Sequence, residues 1–247
     1  MKILASDFDG TLNNRGDWPE LHGALRRWKE AGNVFGVVSG RGVNDILEHV
    51  RECGVECDFL LGDSGSTLSD GKGNVVDRTV MPGTLSRTVI GYLFEVGCEW
   101  ATVRGDREYW IRSDTALGHG EKILFRDTEP LGWFSQVSTS LPTVPEADAV
   151  ISRLGKRFGN ALNFLRNGTC IDIVRGDMNK AVGLKKLFGF FGAGKNDIIT
   201  VGDNINDADM IREYRSYAVE NAVREIRELA GTVVPGVTDL INLELDK

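Results

Sequence analysis

Asp7 and Asp9, in the stretch DFDGTL from Asp7 to Leu12, are the residue types and spacing best suited to chemistry. They follow the apolar run Ile3, Leu4, Ala5, which reads as a buried strand breaking at Gly10 and Thr11, and open parallel sheets place ligands at such strand tips. Side chains on a strand repeat every two residues, so both carboxylates leave one face while Phe8 points into packing. Two more strand tips carry polar groups: SGR, Ser39 to Arg41, behind Val34 to Val38, and GDNIND, Gly202 to Asp207, behind Ile198 to Val201. A helix start adds Lys180. The four carboxylates Asp7, Asp9, Asp203 and Asp207 repel one another unless a divalent cation sits among them, and an all-oxygen set suits magnesium.

A magnesium site without a nucleotide loop points to phosphoryl transfer. FGFFGAGK, Phe188 to Lys195, lacks the spacing of a phosphate-binding loop and reads as a helix-to-strand turn. Magnesium and Lys180 would cancel the repulsion between a phosphate monoester and an approaching Asp7 carboxylate. Asp9 would protonate the leaving alkoxide, then take a proton from the water that cleaves the aspartyl phosphate. Ser39, with Asp9, Gly10, the backbone of Gly40 and Asn206, would hold phosphate oxygens beside Lys180. The expected metal ligands are Asp7, Asp9, Asp203 and Asp207.

The elements that must position these residues alternate. Asn13 to Trp18 reads as a turn, Leu21, Leu25 and Trp28 mark a helix stopped by Gly32, and Val43, Ile46, Leu47 and Val50 mark another. Strand and helix in this rhythm predict an α/β fold with a Rossmann-like parallel sheet. A short strand at Phe59 to Leu61 leads into a hairpin at Asp70-Gly71. The grammar then changes to helix (84–96), two strands joined near Gly105-Asp106, an irregular middle, helix (145–158) and two strands joined at Asn167-Gly168. That is an αββ repeat, expected as an antiparallel sheet with helices on one face. After Arg175 the first rhythm resumes, with a helix over 179–188 and strands at 198–201, 216–219 and 233–234. Residues 1–82 and 175–247 are thus expected to form the core, and 83–174 an inserted α+β cap domain joined by hinge-like linkers. Within the insert, Trp100, Trp110 and Trp133 read as core and Arg104, Arg107, Arg112 and Arg126 as solvated edge residues, with sugar stacking and anion binding as their functional alternatives.

A net charge of −7 argues against a nucleic-acid surface, which needs clustered Lys and Arg. No apolar run approaches the roughly 18 residues of a membrane span, and none resembles a leader, so a cytoplasmic location is expected, as monomer or homodimer. Cys53, Cys57, Cys98 and Cys170 read as reduced core residues. His49, Cys53 and Cys57 share a helical spacing, but Gly54 ends the helix and no fourth zinc ligand is in evidence. Lys185 and Lys186 read as a solvated helix face.

In this order and spacing, DFDGTL, SGR, the lysine opening a helix and GDNIND resemble the four motifs of the haloacid dehalogenase superfamily of phosphatases. The resemblance covers the whole expected core, and an insert between SGR and the lysine is similar to the Cof-type and sugar phosphatase branch, subfamily IIB. It implies Asp7 as nucleophile, Asp9 as acid and base, Lys180 and Ser39 on phosphate, and Asp203 on magnesium. The carboxylate at Asp9 sets the chain apart from the superfamily's dehalogenases and transport ATPases. Asp63-Ser64-Gly65 stands where Cof-type relatives often carry Asn-Gly. The expected activity is magnesium-dependent hydrolysis of a small phosphorylated metabolite, a sugar phosphate. A phosphomutase, a phosphoglycolate phosphatase or a non-catalytic phosphometabolite sensor would use the same residues.

Overall fold

A computed structural model describes residues 1–14, 16, 18–114, 123–129 and 131–247. The expected turn at Asn13 to Trp18 and the irregular middle of the insert each include residues outside that description. Two compact units divide the chain: Met1–Asp77 with Asn179–Lys247, and Arg78–Met178.

The first unit begins with β1 (Ile3–Asp7), buried at every residue, then α1 (Trp18–Glu30), β2 (Val34–Val38), α2 (Val43–Glu52), β3 (Phe59–Gly62), β4 (Thr67–Asp70) and β5 (Val75–Arg78). In the second unit come β6 (Met81–Pro82), α3 (Gly83–Glu95), β7 (Trp100–Arg104), β8 (Glu108–Arg112), β9 (Ile123–Leu124), β10 (Trp133–Phe134), β11 (Gln136–Ser140), α4 (Val144–Phe158), β12 (Leu162–Asn167) and β13 (Cys170–Arg175). The chain then returns through α5 (Lys180–Leu184), α6 (Lys186–Phe191), β14 (Ile198–Gly202), α7 (Ala208–Glu213), β15 (Arg215–Val219), α8 (Arg224–Leu229), β16 (Thr232–Val234) and α9 (Val237–Leu245). The single helix expected over 179–188 is two, α5 and α6, and Gly192 in the left-handed conformation (φ +65°) ends the second before the turn into β14.

In the first unit the described strands form one sheet, ordered β16-β15-β14-β1-β2-β3-β4-β5. β16 through β3 run parallel, and β4 turns back antiparallel on β3. β1 is central: the chain leaves it for β2 on one side and returns at β14 on the other, so the carboxyl ends of all three lie side by side at the switch point where such sheets bind ligands. Helices with an apolar stripe cover the sheet, and Trp28 of α1 is fully buried, its indole N–H donating to the Val34 carbonyl at 2.9 Å.

One turn of this unit is strained. After β3, Asp63, Ser64 and Gly65 take φ of +53°, +52° and +100°, a cost of about 1–3 kcal/mol for each non-glycine residue there. The turn braces two functional segments. Asp63 N–H donates to the Arg41 carbonyl at 2.8 Å and Ser64 N–H to the Ser39 carbonyl at 3.1 Å, while Gly65 lies against the start of α5. A Cβ on Gly65 would sit 2.3 Å from the Asn179 carbonyl oxygen, and one on Gly183 would sit 2.5 Å from the Gly65 Cα. Gly65→Ala is therefore expected to cost roughly 2–5 kcal/mol. Gly97→Ala is the control, with a similar φ of +102° but open space around its Cβ. Equal drops in melting temperature for the two would show that the backbone contact at Gly65 is unimportant.

In the second unit the described strands of the larger sheet are ordered β12-β13-β11-β7-β8-β9, antiparallel except for β8 with β9. Ala101, Val103, Ile111, Val137, Ile171 and Ile173 form one apolar face, packed with Val89, Ile90 and Leu93 of α3 and Ala147, Val150 and Leu154 of α4. Helices on one face match the sequence expectation, but β11 corrects the αββ reading. Gln136–Ser140 carries one apolar residue and no strand signal, yet it lies between β13 and β7 and joins the two hairpins into one sheet. Its hydroxyls are satisfied across the strands: Thr139 donates to the Trp100 carbonyl at 2.7 Å and Ser138 to Asp172 at 2.8 Å. The tryptophans are a second correction. Trp110 is 45% exposed and stacks on half-buried Trp100 with ring centroids 5.4 Å apart, on the sheet face away from the helices. Trp133 lies under the Arg78 guanidinium. Arg104 sits on that same open face, paired with Glu108 at 2.7 Å.

Of the cysteines, all free, only Cys98 belongs to a core; Cys53 and Cys57 are half-buried against one, and Cys170 is exposed. Burial pushes the Cys57 thiol up to about 12, where it is inert at neutral pH.

Candidate active site

Asp7 is the last residue of β1 and is almost wholly buried. Beyond it the chain turns at Asp9 and at Gly10, whose φ is +82°. Only glycine serves there, because a Cβ would lie 2.5 Å from Oδ2 of Asp203. The missing side chain lets the β14 loop close against the β1 tip, and Thr11 Oγ1 then donates to Asp203 Oδ1 at 2.9 Å.

Lys180 enters from the other side. Asn179 caps α5, its Oδ1 accepting from Val182 N–H at 2.8 Å, which sets Lys180 at the first helical position. The Lys180 ammonium, 1% exposed, donates to Asp7 Oδ1 at 2.6 Å and to Asp207 Oδ1 at 2.5 Å. Asp207 Oδ2 accepts from the N–H groups of Asp203 and Asn204 at 3.0 and 3.2 Å, so both its oxygens are engaged. Burial alone would lower the Lys180 pKa, but Asp207 and Asp7 outweigh it and hold the ammonium above its ordinary range. Asp7 is pushed well up, first by burial and then by Asp207, with Lys180 offsetting only part. Burial, then Asp207, also raises Asp203.

One ammonium against three carboxylates leaves an excess of negative charge. Ligand oxygens of Asp7, Asp203 and Asp207 lie within 4.8 Å of one another, and among the described residues Oδ1 of buried Asn206 has no hydrogen-bond partner. Hard oxygen donors, uncompensated charge and an orphaned acceptor fit magnesium. Asp7 and Asp203 have the freest lone pairs, whereas Asp207 could reach a cation only by sharing oxygens already bonded.

Asp9 stands outside that group. Its carboxylate faces the Arg41 guanidinium, which donates from Nε to Oδ2 at 2.6 Å and from Nη2 to Oδ1 at 3.0 Å. Ser39 is buried just past the β2 tip, one residue beyond Val38, the strand partner of Asp7, and its Oγ accepts the Arg41 N–H at 3.2 Å. The Gly10 N–H is engaged by Asn13 Oδ1 at 2.8 Å and the Gly10 carbonyl by Asn221 at 2.7 Å, so Gly10 has no backbone donor facing a phosphate in this arrangement. Gly40 lies in the turn between Ser39 and Arg41. Lys185 is exposed, as expected. Lys186 is not a solvated residue: it donates to the Ser66 carbonyl at 2.8 Å and pairs with Asp77. Among the described residues His49, Cys53 and Cys57 form no metal-binding group; His49 Nδ1 instead lies 2.8 Å from the Asp45 carbonyl.

Sequence reasoning singled out the SGR motif for its serine and overlooked its arginine. The signal was present, since Arg41 is the one cation within the three strand-tip loops. Thr11, which orients Asp203, was likewise within the first motif.

Three carboxylates and a lysine are thus gathered at the switch point of a parallel α/β sheet, where such sheets bind ligands. The haloacid dehalogenase-like hydrolase family model matches residues 4–239, and the chain belongs to that family. It is an enzyme of the family's phosphatase side. Relatives with established names are 5-amino-6-(5-phospho-D-ribitylamino)uracil phosphatases. YwtE of Bacillus subtilis is 22% identical, covering 92% of this chain and 91% of the relative, and YbjI of Escherichia coli is 24% identical, covering 90% and 86%. Among solved structures, a haloacid dehalogenase-like hydrolase from B. subtilis superposes with a TM-score of 0.82 at 17% identity, covering 98% of this chain and 99% of that one. A subclass IIB sugar phosphatase superposes with 0.77 at 15% identity, covering 99% of each. These structural likenesses establish the fold.

Proposed function

We propose that the chain is a magnesium-dependent phosphatase acting on a small phosphorylated sugar or sugar-alcohol compound through an aspartyl-phosphate intermediate. The observation that carries this is Asp7, placed at a strand tip and bonded to Lys180, with Asp203 alongside and Asp9 two residues on. The names of its relatives, phosphatases of a phosphoribityl compound and a sugar phosphatase, support the substrate class.

Magnesium held by Asp7 and Asp203, with Asp207 and Asn206 beside it, would supply positive charge to the phosphate oxygens. Lys180 adds a fixed cation where charge gathers on them, and the turn at Ser39 offers a hydroxyl and backbone N–H groups. Asp7 attacks phosphorus as the bond to the leaving oxygen breaks, and Asp9 gives that oxygen its proton. Asp9 then accepts a proton from the water that attacks the phosphorus of the aspartyl phosphate, freeing Asp7 and inorganic phosphate. Asp207, with both oxygens bonded, fixes Lys180 and the β14 loop.

The test is phosphate release from a panel of sugar phosphates, ribityl phosphates, phosphoglycolate and nucleotides, with magnesium and with a chelator. Release from a sugar or polyol phosphate that falls about a hundredfold or more on chelation is expected. Transfer of the phosphoryl group to a second hydroxyl of the same sugar, with no free phosphate, would show a mutase. Binding without turnover would show a sensor.

A further inference from the structure

We propose that Arg41 is a positioning residue, whose guanidinium fork holds the Asp9 carboxylate apart from Asp7, Asp203 and Asp207 and so keeps it for proton transfer. This rests on the reading of Asp9 as the acid and base. The geometry is specific. Two parallel N–H donors meet two carboxylate oxygens, an arrangement that sets the plane of the carboxylate as well as its position, and that a lysine cannot reproduce.

Arg41 is itself held in place. Its remaining nitrogen, Nη1, lies 3.0 Å from Asp45 Oδ2 and 3.4 Å from His49 Nε2. His49 Nδ1 is 3.2 Å from Asp45 Oδ1, and the His49 ring meets the edge of Phe8 with centroids 5.9 Å apart. Asp45 and His49 are one turn apart on α2, so a helix backs the guanidinium, while Phe8, the residue just before Asp9, is anchored in the core.

As a stabilising contact the Arg41–Asp9 pair has little to offer. Its side chains are 32% and 38% exposed, and pairs so open to water contribute little to stability. What the pair does achieve is order. Asp9 follows Asp7 by two residues, and a fourth carboxylate free to rotate beside three others would be drawn to any cation among them. Paired with Arg41, it stays outside. When Asp9 carries a proton on one oxygen it can keep one Arg41 contact with the other. When it has given that proton to the leaving oxygen, the fork closes on the carboxylate, which is the form that next accepts a proton from water.

The experiment compares two esters in the full-length, magnesium-supplied enzyme. Glycerol 2-phosphate has an alkoxide leaving group that needs its proton, whereas p-nitrophenyl phosphate has a phenolate that leaves without one. Arg41→Gln is expected to lower kcat on glycerol 2-phosphate by about a hundredfold or more and on p-nitrophenyl phosphate by less than about tenfold. Arg41→Lys, which keeps the charge and loses the fork, is expected to restore little. Asp45→Asn removes only the brace and should produce a smaller loss with the same preference; it also serves if Arg41→Gln proves unfolded by circular dichroism. Equal losses on both esters, or full rescue by Arg41→Lys, would overturn the positioning role. Asp9→Asn separates this from the underlying reading. If it shows the ester preference and Arg41→Gln does not, Arg41 alone is wrongly assigned, and if Asp9→Asn slows both esters alike, the acid-base role of Asp9 fails and the role of Arg41 with it.

Discussion

Asp7→Asn is expected to yield a folded protein whose phosphate release is slower by about 10⁴-fold or more, the scale of losing a covalent nucleophile. The amide has nearly the shape of the carboxylate, so the packing of the β1 tip, where Asp7 is almost wholly buried, need not change. What changes is charge. Asp7 is pushed up by burial and by Asp207, which marks its ionised form as unfavourable in the absence of a further cation. Removing that charge leaves Lys180 paired with Asp207 and relieves the repulsion that Asp207 and Asp203 exert on the Asp7 carboxylate, so the melting temperature in chelator should hold or rise. Activity near that of the unsubstituted enzyme would end the aspartyl-phosphate reading. A fall in activity that tracks unfolding in the thermal melt would show a structural role instead.

Lys180→Met is expected to be the most damaging single change in the core. The side chains are of similar length, but the substitution leaves Asp7 and Asp207 facing one another in a buried site without their shared ammonium. Breaking a buried ion pair from one side costs about 3–5 kcal/mol, because the surviving charges stay desolvated. Two carboxylates survive here, so the upper part of that range is expected, together with a loss of roughly a thousandfold in kcat from the missing charge on the phosphate oxygens. The double variant Asp7→Asn/Lys180→Met should recover part of the stability, since one stranded charge has gone with its partner. Urea melts of the two single variants and the double variant measure the coupling. A Lys180→Met protein as stable as the original would mean that this ion triad does not hold β1, α5 and the β14 loop together.

The two single substitutions separate function from folding in opposite senses. Both remove one charged group from the same hydrogen bond, yet one is expected to be harmless to stability and the other severe. The difference lies in the charge imbalance of the site, three carboxylates against one ammonium, which makes the lysine indispensable, whereas Asp7, unlike the fully bonded Asp207, carries a charge that the site leaves unbalanced.

Much of the core was legible because its signals are local. Ile3 to Ala5, Val34 to Val38 and Ile198 to Val201 are largely apolar runs too short for helices, each followed by polar or turn residues, and such runs form central parallel strands with polar residues at the tips. Lys180 was recognisable because it stands at the start of a helical stretch, and the structure adds that Asn179 caps that helix. The αββ segments of the insert were readable from the same periodicities, but β11 was not. Gln136–Ser140 is a strand by virtue of β13 and β7 on either side of it, and pairing partners supply what its own composition does not.

Strand propensity and side-chain alternation act over a few neighbouring residues, so local sequence is enough to set which residues stand at the strand tips of β1, β2 and β14. How those residues pair with one another is set by long-range assembly. Arg41 reaches Asp9 across 32 positions of chain, Gly65 meets Asn179, Lys180 bridges Asp7 and Asp207, and Asp207 turns its second oxygen back to the Asp203 N–H. Such pairings follow from the order and register in which distant strands assemble, and nothing in the residues flanking either partner encodes them.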